Sequence, residues 1–299
     1  MANSIAYISA YLKKLDEVFK ATSKTTVLDA KPGAIKPDEM NANSIYISTL
    51  ALTGLGTYSR STGYPSGGAV TIAWNQHTFS QERGQLFKVD TQDLREALMD
   101  IAKIGTEFER VCVAPEIDAY RFDAIEDVCS IDTNADLDYD NTIAAIDEGI
   151  KTLDDAEVPE ENRLLFVSNA VYKNMKESGE FTYVRVVDNV GGRTISREIE
   201  QYDGMRVIKV PSARFYSDFT FSATDGFSAT SGGYALNFVI AHEPSILGVK
   251  KHVKPKIIPP EYVSDGDFYV FGYRIYHDLF VPTNKLSAVY IHAVATAVT

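Results

Sequence analysis

Six apolar residues recur at helical spacing in this 299-residue chain: Leu94, Leu98, Ile101, Ile104, Phe108 and Val111. Steps of three and four residues place them on one face of a helix of about six turns. Asp90 or Thr91 can begin it, with Asp93 in the first turn, where the helix dipole favours an anion. Pro115 either kinks the helix or separates it from a second one carrying Ile117, Tyr120, Ala124 and Val128. Strand texture dominates on both sides of this stretch. A long helix set among strands, without regular alternation of the two, predicts an α+β fold rather than a doubly wound sheet.

Upstream, Ile5, Ile8, Leu12, Leu15 and Phe19 form one face of an amphipathic helix, capped by Asn3 or Ser4. Residues 21–42 hold Pro32, Gly33 and Pro37 without a helical period and read as an extended arm. Strand texture resumes at Ile45, Ile47, Leu50 and Leu52, and Tyr64–Gly68 is a turn signal. Val70, Ile72 and Trp74 alternate with polar and small residues. Ser80–Gly84 reads as a reversal and Leu86, Phe87 and Val89 as a return, so residues 69–89 are expected to form a hairpin with a charged tip. Ile143, Ile146, Ile150 and Leu153 mark another helix. Arg163–Val167 is a short strand, and Ser168 or Asn169 caps the helix after it. Further strands are expected at Phe181–Val187, Met205–Val210, Leu236–Ile240, Ile246–Val249, Phe268–Phe280 and Leu286–Ala293, with 222–233 as a loop.

The formal net charge is −12. An acidic chain repels phosphate, which argues against nucleic-acid recognition as its main task. Pro115–Glu161 carries sixteen acidic residues against Arg121 and Lys151, whereas Lys250, Lys251, Lys254 and Lys256 cluster elsewhere. Such polarity suits contact between different faces of neighbouring copies. Cys112 and Cys129 are too few for a disulfide framework and read as reduced thiols of an intracellular chain. No apolar run approaches the ~20 residues of a membrane span, and Lys13, Lys14 and Asp16 argue against a signal peptide.

Catalytic constellations do not emerge. Asp132, Asn134, Asp136, Asp138 and Asp140 alternate as in a calcium loop, but Leu137 and Ile143 replace its glycine and its bidentate glutamate. His242-Glu243 and His277-Asp278 are strand neighbours facing opposite ways. There is no zinc spacing, phosphate-binding loop or nucleophile elbow. No catalytic residue, cofactor or metal is expected.

The order of elements resembles the major capsid proteins of tailed bacteriophages, with the Hong Kong 97-type fold. Trp74–Val89 is similar to the family's E-loop hairpin and Asp90–Val113 to its spine helix. Phe108–Phe122 is similar to the continuation of that spine, Arg163–Met175 to the strand and helix of the axial domain, and Pro211–Tyr216 with Asn237–Pro244 to later parts of that domain. Phe268–Pro282 and Leu286–His292 resemble the returning peripheral strands. The resemblance implies an N-terminal arm over 1–42, a peripheral strand and E-loop over 43–90, the spine over 91–130, an axial domain over 131–244 and returning strands over 245–299. It implies a structural protein, not an enzyme, that self-assembles as hexamers and pentamers into an icosahedral shell enclosing double-stranded DNA. Its partners would be itself, a portal protein, a separate scaffolding protein and DNA bound without sequence specificity, with no membrane. Its place would be the virion, after assembly in the host cytoplasm. Intersubunit contacts are expected at Ile8, Leu12, Trp74, Phe79, Glu82, Arg83, Lys250 and Lys251. With no Lys in Gln81–Gly84, the shell is expected to be non-covalent, and the helix beginning near Met1 argues against a cleaved leader. An encapsulin-like nanocompartment shares the fold. A soluble enzyme or ligand-binding module is the alternative from another class.

Overall fold

The computed structural model describes residues 23–30, 43–65, 68–92, 101–178, 182–190, 193–222, 226–264 and 266–298. The expected N-terminal helix, with Ile8 and Leu12, lies outside these residues, as do Leu94 and Leu98 of the helical stripe. The chain opens with a ribbon of β1 (Ser44–Leu52) and β2 (Val70–Thr78), then enters β3 (Gln81–Asp90). Asp90 Oδ1 accepts from the Gln92 amide at 2.8 Å, and helical geometry begins at Thr91. The described helix consists of α1 (Ile101–Phe108), a π turn at Glu109–Val113, and α2 (Ala114–Cys129). Pro115 brings no amide to the helix ladder, and its ring would clash with a carbonyl one turn back. The π turn accommodates this, with the Ala114 amide reaching back to Glu109 O.

After α2 come β4 (Thr133–Asn134), α3 (Thr142–Asp155), β5 (Arg163–Ser168) and α4 (Asn169–Ser178). Ser168 caps α4, its Oγ accepting from the Val171 amide at 3.2 Å. There follow β6 (Thr182–Val190), β7 (Arg193–Tyr202), β8 (Met205–Val210), β9 (Phe219–Ser222), β10 (Gly226–Ala229) and β11 (Tyr234–His242). The chain closes with β12 (Leu247–Ile258), β13 (Phe268–Phe280) and β14 (Val289–Ala297).

Two sheets share the long helix. The larger is a mixed seven-stranded sheet in the order β4-β14-β11-β5-β8-β7-β6. Its centre, β5, is buried throughout. Leu164 and Phe166 face the cluster beneath α2, with Tyr120, Phe122 and Ile125. Leu165 and Val167 face the cluster beneath α3 and α4, with Ile146, Val171 and Met175. Period-two alternation of apolar side chains thus serves both faces, and burying each large one contributes about 1.5–3 kcal/mol. The smaller sheet, β12-β13-β3, packs Phe271, Tyr273 and Ile275 against Phe108, Val113 and Ile117. The α+β class is confirmed.

Several boundaries differ from expectation. Residues 69–89 are not a hairpin. β2 pairs with β1, from Ser44↔Thr78 to Leu52↔Val70, and β3 pairs with β13. Phe79 is buried against Tyr276 and Phe280, and the Ser80 amide donates to Asp278 Oδ2 at 2.7 Å, which pins the chain between the two ribbons. Gly84 lies inside β3 rather than in a turn, at a position where a Cβ would meet Tyr273 O at 2.8 Å. β14 does not return to the smaller sheet. It joins β11, because Ile291 and Tyr290 face different buried clusters and so need a sheet covered on both sides. Within 222–233, expected as a loop, β10 forms a short antiparallel pair with β9, which precedes it. β7 was not foreseen, and β12 runs on through the lysine cluster to Ile258.

Candidate assembly surfaces

The β1–β2 ribbon stands apart from the two larger sheets. Its base is anchored by Ile45, which is buried with Phe79, Val249 and Phe280. Beyond the base, one face carries Leu50 opposite Ile72 and Leu52 opposite Val70, with Trp74 opposite Ser48. All five large apolar side chains are exposed. A two-stranded ribbon is marginal in water by itself, and an exposed apolar face of this kind is a candidate contact surface.

The ribbon's far end is ordered by its own contacts. The Thr53 amide donates to Ala69 O at 3.1 Å, and Ser59 and Gly63 exchange two backbone hydrogen bonds. Gly63 has φ +82°, a turn conformation that glycine adopts without strain. Ser59 Oγ accepts from the Ser61 and Thr62 amides, and Tyr58 meets Tyr64 edge-on at 5.2 Å. Leu55, Tyr58 and Tyr64 are exposed. Arg60 sits at the turn and is the one Lys, Arg, Asp or Glu between Asn43 and Ser80. Sequence reasoning passed over this tip. The clue available was that single charge within a long uncharged stretch punctuated by glycines.

The residues expected at intersubunit contacts are spread over the fold. Trp74 lies on the exposed ribbon face. Phe79 is buried at the base, with Lys251 Nζ 5.5 Å from its ring centre. Arg83 is not at a tip. It donates to Glu116 Oε1 at 2.6 Å and to the Ser222 and Gly226 carbonyls, tying β3 to α2 and to the β9–β10 pair. Glu82 pairs across the sheet with Arg274. Lys250 reaches Asp29 Oδ2 at 2.8 Å, while Lys254 and Lys256 lie further along β12.

Asp278 and the carboxylates of the acidic segment are committed to structure. Asp278 accepts from Tyr120 Oη at 2.6 Å, from the Leu279 amide, and from the amide and hydroxyl of Ser80. Burial and Asp278 push the Tyr120 phenol up, so it stays protonated. Burial holds His277 down to about 3, with Arg121 and Lys250 adding to the effect. Among the described residues the Ser80 hydroxyl meets Tyr120 and Asp278, and no imidazole is placed to activate it. In the acidic segment, Asp132 accepts from the Ile291 amide, Asp136 from the Ala295 amide and Asp138 from the Asp140 and Asn141 amides. These carboxylates splay onto different backbone donors rather than converging.

One acidic cluster has a measurable consequence. Burial raises Asp123 to about 7, helped by Asp127, Asp218 and Glu126 and opposed by a hydrogen bond from the Phe219 amide. The unfolded carboxyl ionises near 3.8. Between these values the folded chain holds the extra proton, so stability falls as pH rises from about 4 to about 7. Asp123→Asn keeps the acceptor for Phe219 and removes the charge. With the side chain partly open to solvent, the expected gain at pH 8 is about 1–2 kcal/mol, with none at pH 4. Thermal unfolding of the unassembled subunit at the two pH values checks this, and an equal shift at both would refute it.

The overall fold is similar to that of phage capsid subunits. A chain from the asymmetric unit of the bacteriophage PhiM1 mature capsid aligns with a TM-score of 0.60 at 13% identity, covering 85% of this chain and 83% of that one. The capsid of cyanophage P-SCSP1u aligns with a TM-score of 0.56 at 14% identity over 86% and 84%. A virus-like particle from Pyrococcus furiosus aligns with a TM-score of 0.56 at 12% identity over 96% and 99%. No family model and no curated protein sequence matches the chain.

Proposed function

We propose that the chain is the major capsid protein of a tailed bacteriophage, a structural protein located in the virion. The observation that carries this reading is the β1–β2 ribbon, whose apolar face has no cover within the described subunit. In a shell, an adjacent copy covers it. β1–β2 then serves as the E-loop and α1–α2 as the spine. The three-stranded sheet belongs to the peripheral domain, and the seven-stranded sheet to the axial domain that gathers around each capsomer centre. Trp74 makes its contact on the ribbon. Ile8, Leu12, Lys250 and Lys251 line the contacts of the arm and of β12, and Phe79, Glu82 and Arg83 support them from beneath. Hexamers and pentamers assemble in the host cytoplasm around a separate scaffolding protein and a portal. Double-stranded DNA is confined inside without sequence-specific contacts, which the net charge of −12 suits.

The second reading, a nanocompartment shell around protein cargo, draws support from the 99% coverage of the Pyrococcus furiosus particle chain. Its TM-score is no higher than those of the phage capsids, so the phage reading stands first. The purified protein, with and without co-expressed scaffold from the same source, is expected to sediment as capsomer rings or closed particles that are visible by electron microscopy. Monomer alone across all salt conditions would end both shell readings. Particles from infected cells that hold protein cargo and no DNA would favour the second.

A further inference from the structure

The two faces of the smaller sheet differ in charge. Phe271, Tyr273 and Ile275 point toward the long helix. Alternate residues therefore point away from it. The register sets them in rows across β12, β13 and β3: Lys254, Arg274 and Gly84, then Lys256, Gly272 and Leu86, then Lys88 beside Val270. Lys88, Lys254, Lys256 and Arg274 are all exposed. Two carboxylates share this face. Glu82 accepts from Arg274 Nε at 2.7 Å, and Asp90, at the end of β3, accepts from the Gln92 amide. Among the described residues, Lys88, Lys254 and Lys256 have no ion pair. In a chain of net charge −12, this is a cationic face.

Lys254 stands directly opposite Arg274, and like charges so placed destabilise a sheet until an anion comes between them. The same chain displays carboxylates that fit this need. Asp155, Glu157, Glu160 and Glu161 are exposed where α3 leads into β5. Their turn is preformed. The Ala156, Glu157 and Val158 amides donate to the Thr152, Asp154 and Leu153 carbonyls, and Val158 is buried. Arg163 lies beneath, donating to Pro159 O at 3.0 Å and to Asp154 Oδ1 at 2.7 Å. Among the described residues, the other four carboxylates have no ion pair. Both charged groups are exposed, so they do not meet within one subunit.

We propose that the outer face of the β12-β13-β3 sheet docks the acidic α3–β5 turn of a second copy, with Lys254 and Lys256 meeting Glu160 and Glu161. The proposal rests on the shell reading and adds a pair of contacting surfaces to it. Charge complementarity selects the occupant: three unpaired ammonium groups face four unpaired carboxylates, and the contact relieves the repulsion within each set. The chain's net charge of −12 disfavours a nucleic acid in the same place. A preformed turn loses little entropy on docking. Two surfaces on different parts of one chain make a heterologous contact that repeats from copy to copy.

A charge swap tests this in the full chain under assembly conditions. Lys254→Glu with Lys256→Glu is expected to cut particle yield at least tenfold. The isolated subunit should unfold at the wild-type temperature or above it, because the like-charged pair with Arg274 is gone. Glu160→Lys with Glu161→Lys should also fail to assemble, and all four substitutions in one chain should restore particles. Should the variants fail to fold, wild-type particles supply the test. A carbodiimide, which joins an amine to a touching carboxylate as an amide with loss of water, is expected to link Lys254 or Lys256 to Glu160 or Glu161. Co-assembly of light and isotope-heavy chains shows that the link runs between copies. Wild-type chain that forms no rings or particles would overturn the shell reading itself. With shells intact, the docking would be overturned by normal assembly of Lys254→Glu with Lys256→Glu, by a loss that the swap does not restore, or by particles that lack the link. Particles that form normally and lose only their DNA would assign the face to nucleic acid instead.

Discussion

Replacing residues 51–71 with an Asn-Gly turn is expected to give a subunit that unfolds at the wild-type temperature and forms no shells. The removed segment contributes nothing to the buried clusters. Leu52, Leu55, Tyr58, Tyr64 and Val70 are exposed, whereas Ile45 and Phe79, which anchor the ribbon, are kept. The new turn also favours the shortened hairpin. Assembly is affected quite differently. Covering one large apolar side chain contributes about 1.5–3 kcal/mol before the costs of association, and the segment offers several to each neighbour. That loss recurs at every contact around a ring, so closure fails even where one contact would merely weaken. Thermal unfolding of the isolated subunit and sedimentation under assembly conditions separate the two effects. A subunit destabilised by more than about 3 kcal/mol would mean that the ribbon belongs to its own core. Intact shells would mean that its apolar face is not an assembly surface.

What the sequence revealed, and what it concealed, follows from the range of the forces involved. The helical stripe through Phe108 and the alternation in Phe268–Phe280 are local patterns, and within the described residues the helix appears at Ile101–Phe108 and the strand at Phe268–Phe280. Strand partnership is not local. Val70–Trp74 and Leu86–Val89 are close in sequence and share a strand period, which suggests a hairpin. Their actual partners lie on either side of them in the sequence, at Ser44–Leu52 and Phe268–Phe280. The deciding residue is Phe79, whose burial against Phe280 depends on contacts some two hundred positions away. Arg83 and Glu82 looked like a solvated tip because polar residues at strand spacing on a half-covered sheet read like a turn. The tip at Ser59–Gly63 went unnoticed because a turn that ends a long ribbon has no helix or core pattern to flag it.

The long helix also reconciles two demands that the sequence left as alternatives. Pro115 could have ended it, since an internal proline costs about 3 kcal/mol or more in a regular helix. The π turn at Glu109–Val113 lets the helix continue, so that α1 and the start of α2 pack on the smaller sheet and the rest of α2 on the larger one. One continuous rod therefore couples the half of the subunit next to the ribbon to the half that holds the seven-stranded sheet.

The segment Ser23–Ala30 is held on that rod by two fully buried charges, and removing one of them is expected to have the largest effect on subunit stability. Asp118, 0% exposed, accepts from Ser23 Oγ at 2.7 Å, from the Lys24 and Thr25 amides, from Thr25 Oγ1 at 2.7 Å, and from Arg214 at 3.1 Å. One turn on, Arg121 donates to Thr25 O at 2.6 Å and pairs with Asp29, which Lys250 also holds. The segment passes so close that a Cβ on Gly248 would meet Leu28 O at 2.8 Å and Arg121 at 2.9 Å. Leu28 completes the cluster beneath α2. Asp118→Ala leaves the segment's amides without their acceptor and a partly buried Arg214 without its counter-charge. Breaking a buried pair by removing one partner costs about 3–5 kcal/mol. Asp118→Asn keeps one acceptor oxygen, so its expected cost is smaller, about 1–3 kcal/mol. Release of the segment has its own signature, since Lys24 is exposed and trypsin can cut there once the backbone lifts. Asp118→Ala is therefore expected both to lower the unfolding temperature and to speed cleavage after Lys24, with Asp118→Asn between it and wild type. A variant with wild-type stability, or one destabilised with no change at Lys24, would show that the carboxylate does not hold the segment down.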